Sequence, residues 1–241
     1  MIRSGNPALR DNVFSGLSSS DSSNAMTIQG TVNKAFILLV LTFLSASWAW
    51  ANSSKAVSFV WPAAIAGFIV ALVTVFKKEW SPVTSPVYAL LEGVFLGAVS
   101  ALFEKSYPGI VMQAVGLTFG VLFCLLAVYK SGIIKVTERF KLGVVAATGG
   151  IALFYLASIV AGFFGVRFSF IYGGGVLGIG FSLFVVAIAS LNLVLDFDFI
   201  EKGSQRQIPK YMEWYGAFGL MVTLVWLYLE ILRLLAKLQR R

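Results

Sequence analysis

Residues 175–200 read GVLGIGFSLFVVAIASLNLVLDFDFI, and the first charge in the stretch is Asp196, near its end. About 30 Å of hydrocarbon takes about 20 apolar residues at 1.5 Å of helical rise each. The stretch therefore reads as a helix that crosses a membrane. The apolar residues are continuous, without the apolar-polar alternation over about ten residues that a membrane β-strand needs.

Six further runs of this kind flank it, at about 33–51, 56–76, 84–103, 109–129, 142–165 and 214–238. Seven spans predict an all-α integral membrane protein. Composition agrees, with 58% apolar residues, 12% charged residues and a mean hydropathy of +0.85 over 241 residues. A soluble domain of this size could not cover so much apolar surface while presenting a wetted exterior. A disordered chain, a soluble enzyme and a small disulfide scaffold are excluded on the same ground. Trp48 and Trp50 close span 1, Trp61 opens span 2, Trp80 follows it and Trp214 precedes span 7, as an aromatic belt would; Trp226 is the exception.

Residues 1–30 differ in kind. They hold Ser15, Ser18, Ser19, Ser20, Ser22 and Ser23, and read as a flexible polar tail before a membrane domain at 31–241. The first apolar run starts too late for a secretory signal. No repeat of 20–50 residues is visible, so the membrane part is one domain.

The net charge of +8 sits mostly in gaps between spans, which assigns it to topology and anionic headgroups rather than to nucleic acid. Arg3, Arg10, Lys34, Lys77, Lys78, Lys130, Lys135, Arg139, Lys141, Lys202, Arg206 and Lys210 fall on one side. Lys55, Lys105 and Arg167 fall on the other, which predicts a cytoplasmic N-terminus. Arg233, Lys237, Arg240 and Arg241 run against that rule at the far end of span 7, and full crossing of span 7 is still the favoured reading. Cys124 is single and reads as a small core residue. The chain has no histidine, which removes His-based triads and His-ligated metals.

The informative residues are the acids within spans, because an ionisable group in hydrocarbon costs several kcal/mol unless it has a partner or a wet path. These are Glu92, Asp196, Asp198 and Glu230. Asp196 and Asp198, two apart, point about 200° away from each other on a helix. Asn192 shares a face with Asp196, which makes Asp196 the inward member and Asp198 a solvated helix end. Glu230 has two readings. One is a local ion pair with Arg233 at i+3. The other is a carboxyl facing Asp196, where two acids that cannot both ionise cheaply would form a proton-sensitive latch. The latch requires span 7 to begin near Gly219 or Leu220, or span 6 to run past Glu201. Glu92 either lines a polar cavity or pairs with a Lys or Arg.

Gly173, Gly175 and Gly178 match G-x-G-x-x-G but lack a βαβ setting, so they read as small residues for helix packing or as a flexible entry to span 6. Gly143, Gly149, Gly150 and Gly162 read likewise. The motifs of intramembrane aspartyl proteases are missing, and no nucleophile–base pair or metal cluster is visible, so an enzyme is not expected and no catalytic or metal-ligating residue is assigned.

Leu91-Glu92-Gly93 in span 3, the aspartate ending span 6, Leu227-Tyr228-Leu229-Glu230 in span 7, Asn6-Pro7-Ala8-Leu9 and Thr31-Val32-Asn33-Lys34 together resemble the Bax inhibitor family in its bacterial branch, over about residues 30–238. The resemblance implies a seven-transmembrane-helix bundle with the last helix central, in a bacterial inner membrane. It implies a pH-sensitive calcium leak sensed by an acid pair, here Asp196 and Glu230, with Glu in place of the family's second Asp. Asn192, Asp198, Arg233 and Glu92 are the expected supporting polar residues. No tightly bound cofactor is expected; calcium and protons are the expected permeant or regulatory ions. Lipids, calcium and other membrane proteins are the expected partners, nucleic acid is not, and a monomer is the favoured state. A non-conducting membrane scaffold and a proton-coupled carrier are the alternatives.

Overall fold

The computed structural model describes residues 24–165 and 173–240. The residues of the tail up to Ser23, with Asn6-Pro7-Ala8-Leu9, Arg3 and Arg10, lie outside them, as do Arg167 and Arg241. Among the described residues there are seven helices long and apolar enough to cross a membrane. They are α1 (Ile28–Ala51), α2 (Val60–Phe76), α3 (Ser81–Ser106), α4 (Ile110–Lys130), α5 (Glu138–Phe163), α6 (Val176–Gln205) and α7 (Met212–Gln239). A one-turn helix, Ser53–Ala56, and a 3-10 turn, Val57–Phe59, lead into α2. The protein is a seven-helix membrane bundle.

Helix ends differ from the apolar runs where polar side chains extend them. α1 begins at Ile28 because Thr27 caps it, its Oγ1 accepting from Gly30 N at 2.9 Å. Residues 24–26, ahead of α1, pack along the α6–α7 connection. Met26 N donates to the Ile208 carbonyl at 2.7 Å, Lys210 N donates to the Asn24 carbonyl at 2.9 Å, and Ala25 bridges Pro209. α3 begins at Ser81, with Pro82 in its first turn, where a missing N–H has no helical partner to lose; Pro86 lies inside the helix. α6 continues past Ile200 to Gln205, and its last turns carry the i,i+4 pair Asp198–Lys202.

α7 is the central helix: 56% of its apolar window is buried, against 11% for α5. One apolar cluster gathers Tyr215, Phe218 and Met221 of α7 with Leu38 of α1 and Tyr88 of α3. A second gathers Leu224, Leu227 and Ile231 of α7 with Ala114 of α4 and Leu193 of α6. Outward faces are apolar too, with Phe36, Phe43, Trp61, Phe76, Leu153 and Leu177 exposed, as a lipid solvent requires.

Close approach of α1 and α3 depends on Gly93 and Gly97. A Cβ on Gly93 would overlap Ser45 Oγ and the Thr42 carbonyl, and one on Gly97 would overlap the Ala46 carbonyl. This is the small-xxx-small contact of membrane helices. The glycines expected to pack this way on α5 do not. Gly143, Gly149, Gly150 and Gly162 face open space, as does Gly175 before α6. α5 touches the bundle along another face.

Candidate functional site

That other face is polar. Lys141, Thr148 and Tyr155 recur every seven residues on α5, which puts them in one row. Each meets a polar partner on α6 or α7. Lys141 Nζ lies 3.2 Å from Asp198 Oδ2 on α6 and 3.3 Å from Glu138 Oε1 on its own helix. Thr148 Oγ1 accepts from Asn192 Nδ2 of α6 at 2.8 Å. Tyr155 Oη donates to Glu230 Oε1 of α7 at 3.0 Å and accepts from Arg233 Nη1 at 2.8 Å. From Lys141 to Tyr155 the helix rises about 21 Å, so this polar seam runs through most of a bilayer core. Apolar contacts between α5 and α6 are added at the Tyr155 end, where the rings of Phe154 and Tyr155 meet Phe181 at 5.3 and 6.1 Å.

Two sequence expectations are revised here. Asp198 is not a solvated helix end. It is 6% exposed and holds both Lys141 and, at 2.7 Å, Lys202. A fully buried ammonium needs a counter-charge, and Asp198 supplies it for Lys141. The second concerns Asp196 and Glu230. The register of α6 against α7 is set at one end by Lys237 Nζ, which donates to the Gly178 carbonyl at 3.0 Å and to Ser182 Oγ at 2.7 Å. At the other end Phe199 meets Tyr215, with ring centroids 6.4 Å apart, and Ile200 meets Gly216. In that register Asp196 lies across from about Gly219 and Glu230 across from about Val185. The two acids are about eleven residues, or roughly 16 Å, apart along the bundle. They do not face each other: α6 does run past Glu201 to Gln205, but α7 begins at Met212 rather than near Gly219, which carries Glu230 past Asp196 along the bundle.

The remaining expected residues fall as follows. Asp196 is fully buried and shares a face of α6 with Asn192, as expected. Glu230 takes the local pair with Arg233 at 2.9 Å, enlarged by Tyr155 into a three-membered network, with the guanidinium over the Tyr155 ring at 5.4 Å. Glu92 is off the seam. It is buried on α3, one turn after Tyr88, and lies against Gly67 of α2.

Several functional side chains escape a sequence reading. Lys141 and Lys34 count there only as loop or tail cations. Lys141 is 1% exposed and central to the seam. Lys34 is ion-paired to Glu213, whose buried carboxylate also accepts from Thr27 N and Thr27 Oγ1 at 2.9 Å each. The seven-residue spacing of Lys141, Thr148 and Tyr155 is the signal that could have found the seam. The cations at the end of α7 explain the charge that runs against topology. Arg233 pairs with Glu230, Lys237 is buried against α6, and Arg240 Nε donates to Tyr107 Oη at 2.7 Å. They stitch the central helix in place.

Outside the spans, the Tyr211 phenol in the α6–α7 connection is pushed above its ordinary range by burial and by the Glu79 charge. Among the described residues no three His, Cys, Asp or Glu side chains gather to hold a metal. The seam instead offers acids, amides and hydroxyls spread along a line. A model of the family described as Bax inhibitor 1 like matches residues 6–240. No curated protein and no solved structure matches the chain.

Proposed function

The chain belongs to the Bax inhibitor 1 like family, and from that premise we propose that it is a proton-controlled cation leak, calcium being the cation, whose path is the seam between α5, α6 and α7. The family is often linked to ion and calcium homeostasis. The observation that carries the reading is the way α5 is held. Its contact with α6 and α7 has a polar tie at each of three levels, two of them including a carboxylate.

In the closed state the charged carboxylates hold α5. Asp198 faces Lys141 and Lys202, with Glu138 beside Lys141. Glu230 faces Tyr155 and Arg233, and Lys237 follows at i+7 on its own helix. Acid neutralises the carboxylates, and a neutral acid holds a lysine or arginine far less strongly. α5 then separates from α6 and α7, water enters, and the acids become stations for a cation. Asp196 and Glu230 act at two depths in this scheme rather than as one latch.

The proposed setting is a bacterial inner membrane with the N-terminus in the cytoplasm, which the Lys and Arg asymmetry supports. The role is non-enzymatic and needs no resident cofactor. Ca²⁺ flux into liposomes holding the purified protein tests the reading. Flux that rises on acidification supports it, and no flux at any pH from folded protein removes it. One observation favours a second reading: Gly143, Gly149 and Gly150 on α5 face open space, a surface on which another membrane helix could pack closely. A scaffold of that kind would bind partners and show no flux alone.

A further inference from the structure

The start of α7 is held by one short piece of chain. Glu213, in the first turn of the helix, is 1% exposed. Its carboxylate accepts from Thr27 N and Thr27 Oγ1 at 2.9 Å each, and it is ion-paired to Lys34. The Lys34 ammonium also lies 5.7 Å from the centre of the Trp214 ring. Gly30 faces the same carboxylate with no room for a methyl group. Further along α7, a Cβ on Gly216 would lie 3.3–3.4 Å from side-chain atoms of Thr31, Ile200 and Met26. Just before the helix, residues 24–26 are bonded to the backbone of 208–210.

Residues 24–34 thus grip both the α6–α7 connection and the first turns of α7. Every donor to Glu213 among the described residues comes from Thr27 or Lys34. A buried carboxylate stripped of its partners is strongly unfavourable, so the segment and the start of α7 move together. Two further ties, from α3, are neutral: Ser81 Oγ donates to the Tyr211 carbonyl at 3.0 Å and Ser85 Oγ to the Trp214 carbonyl at 3.4 Å. Glu230 lies 17 residues beyond Glu213 on the same helix, about 26 Å along a stiff rod. A hold on Glu213 is therefore also a hold on where Glu230 meets Tyr155.

We infer that residues 24–34 are a strap that holds α7 in its closed position, with Glu213 as the positioning residue through which it acts. Lifting the strap leaves α7 on the neutral ties from α3, free to shift along α6, and the Glu230 end of the seam loosens without acid. The inference rests on the proposed cation path and adds a second control to it, away from the acids of the seam.

The test uses the full-length protein with Cys124→Ser. Spin labels on Leu177→Cys of α6 and Leu238→Cys of α7, both exposed at the end far from the strap, read the position of α7. Ca²⁺ flux into liposomes at about pH 7.5, where the carboxylates of the seam are charged, reads the path. Lys34→Met leaves Glu213 its two bonds from Thr27, so folding should survive. It should change the label distance and raise flux about tenfold, the population shift that loss of one charge-assisted bond brings. Lys34→Arg, which keeps the charge, should change neither. Ala25→Cys with Pro209→Cys, opposite each other in the backbone bridge, should close the unlabelled Lys34→Met protein again when the disulfide forms and release it on reduction. A label distance unchanged in both Lys34→Met and Glu213→Gln, or unchanged flux in them from a protein whose wild type leaks in acid, overturns the strap and keeps the leak. A changed distance in Lys34→Met with no flux from any variant at any pH keeps the strap and removes the leak.

Discussion

α3 and α5 are helices of 26 residues each, with two and four glycines, and they use that residue in opposite ways. On α3, Gly93 and Gly97 are pressed against the α1 backbone, with no room for a methyl group. On α5, Gly143, Gly149, Gly150 and Gly162 look out into open space, and the helix is held instead by Lys141, Thr148 and Tyr155. Dispersion between close backbones does not depend on pH. Ion pairs and hydrogen bonds to carboxylates do. Under the proposed function, this difference divides the bundle into a half that is fixed and a half that a proton would loosen.

The largest expected effect lies in the fixed half. Gly97→Leu drives a side chain into the Ala46 backbone and should cost about 3 kcal/mol or more, read as a fall in the thermal unfolding midpoint in detergent. Calcium flux should be lost only in proportion to folded protein. Next comes Asp198→Asn on the labile side. It removes the main counter-charge of Lys141 but leaves Glu138, so a cost of about 2–3 kcal/mol is expected, below that of a fully orphaned buried charge. The telling readout is flux at high pH, which should rise because α5 is already released. Tyr155→Phe removes two hydrogen bonds from the Glu230–Arg233 network. It should cost about 1 kcal/mol and move the onset of flux to higher pH. Smallest is Gly150→Ala, which meets nothing and should stabilise the helix by up to about 1 kcal/mol with flux unchanged. A Gly150→Ala variant as damaged as Gly97→Leu would erase the contrast between the halves.

The fold was legible in the sequence because hydrocarbon thickness sets helix length. The seven runs recur as seven helices with ends shifted by a few residues. The shifts come from side chains that hydropathy does not weigh, such as the Thr27 cap and the Asp198–Lys202 pair. At the site, local relations were legible and cross-helix relations were not. Glu230 with Arg233 is three residues apart and could be read directly. Asp196 opposite Glu230 depended on where α7 begins and on the α6–α7 register, which is fixed by contacts such as Lys237 with Gly178 and Phe199 with Tyr215. Lys141 sat at a span end, where a cation reads as topology, although its ammonium turns inward to Asp198. The open-facing glycines of α5 could not be told from the packed ones of α3, since a glycine carries no sign of which face its helix buries.

The central claim is that a cation crosses along the α5–α6–α7 seam when its carboxylates are neutralised. Ca²⁺ flux into liposomes holding wild-type protein, Glu230→Gln or Asp198→Asn, scanned from about pH 7.5 down to about pH 3.5, the range that reaches where carboxylates take up protons, tests it most directly. The account predicts wild-type flux that rises with acid, and variants that already conduct at high pH with a flattened response. Folded wild-type protein that is silent throughout, or variants whose pH profile matches the wild type, would contradict it.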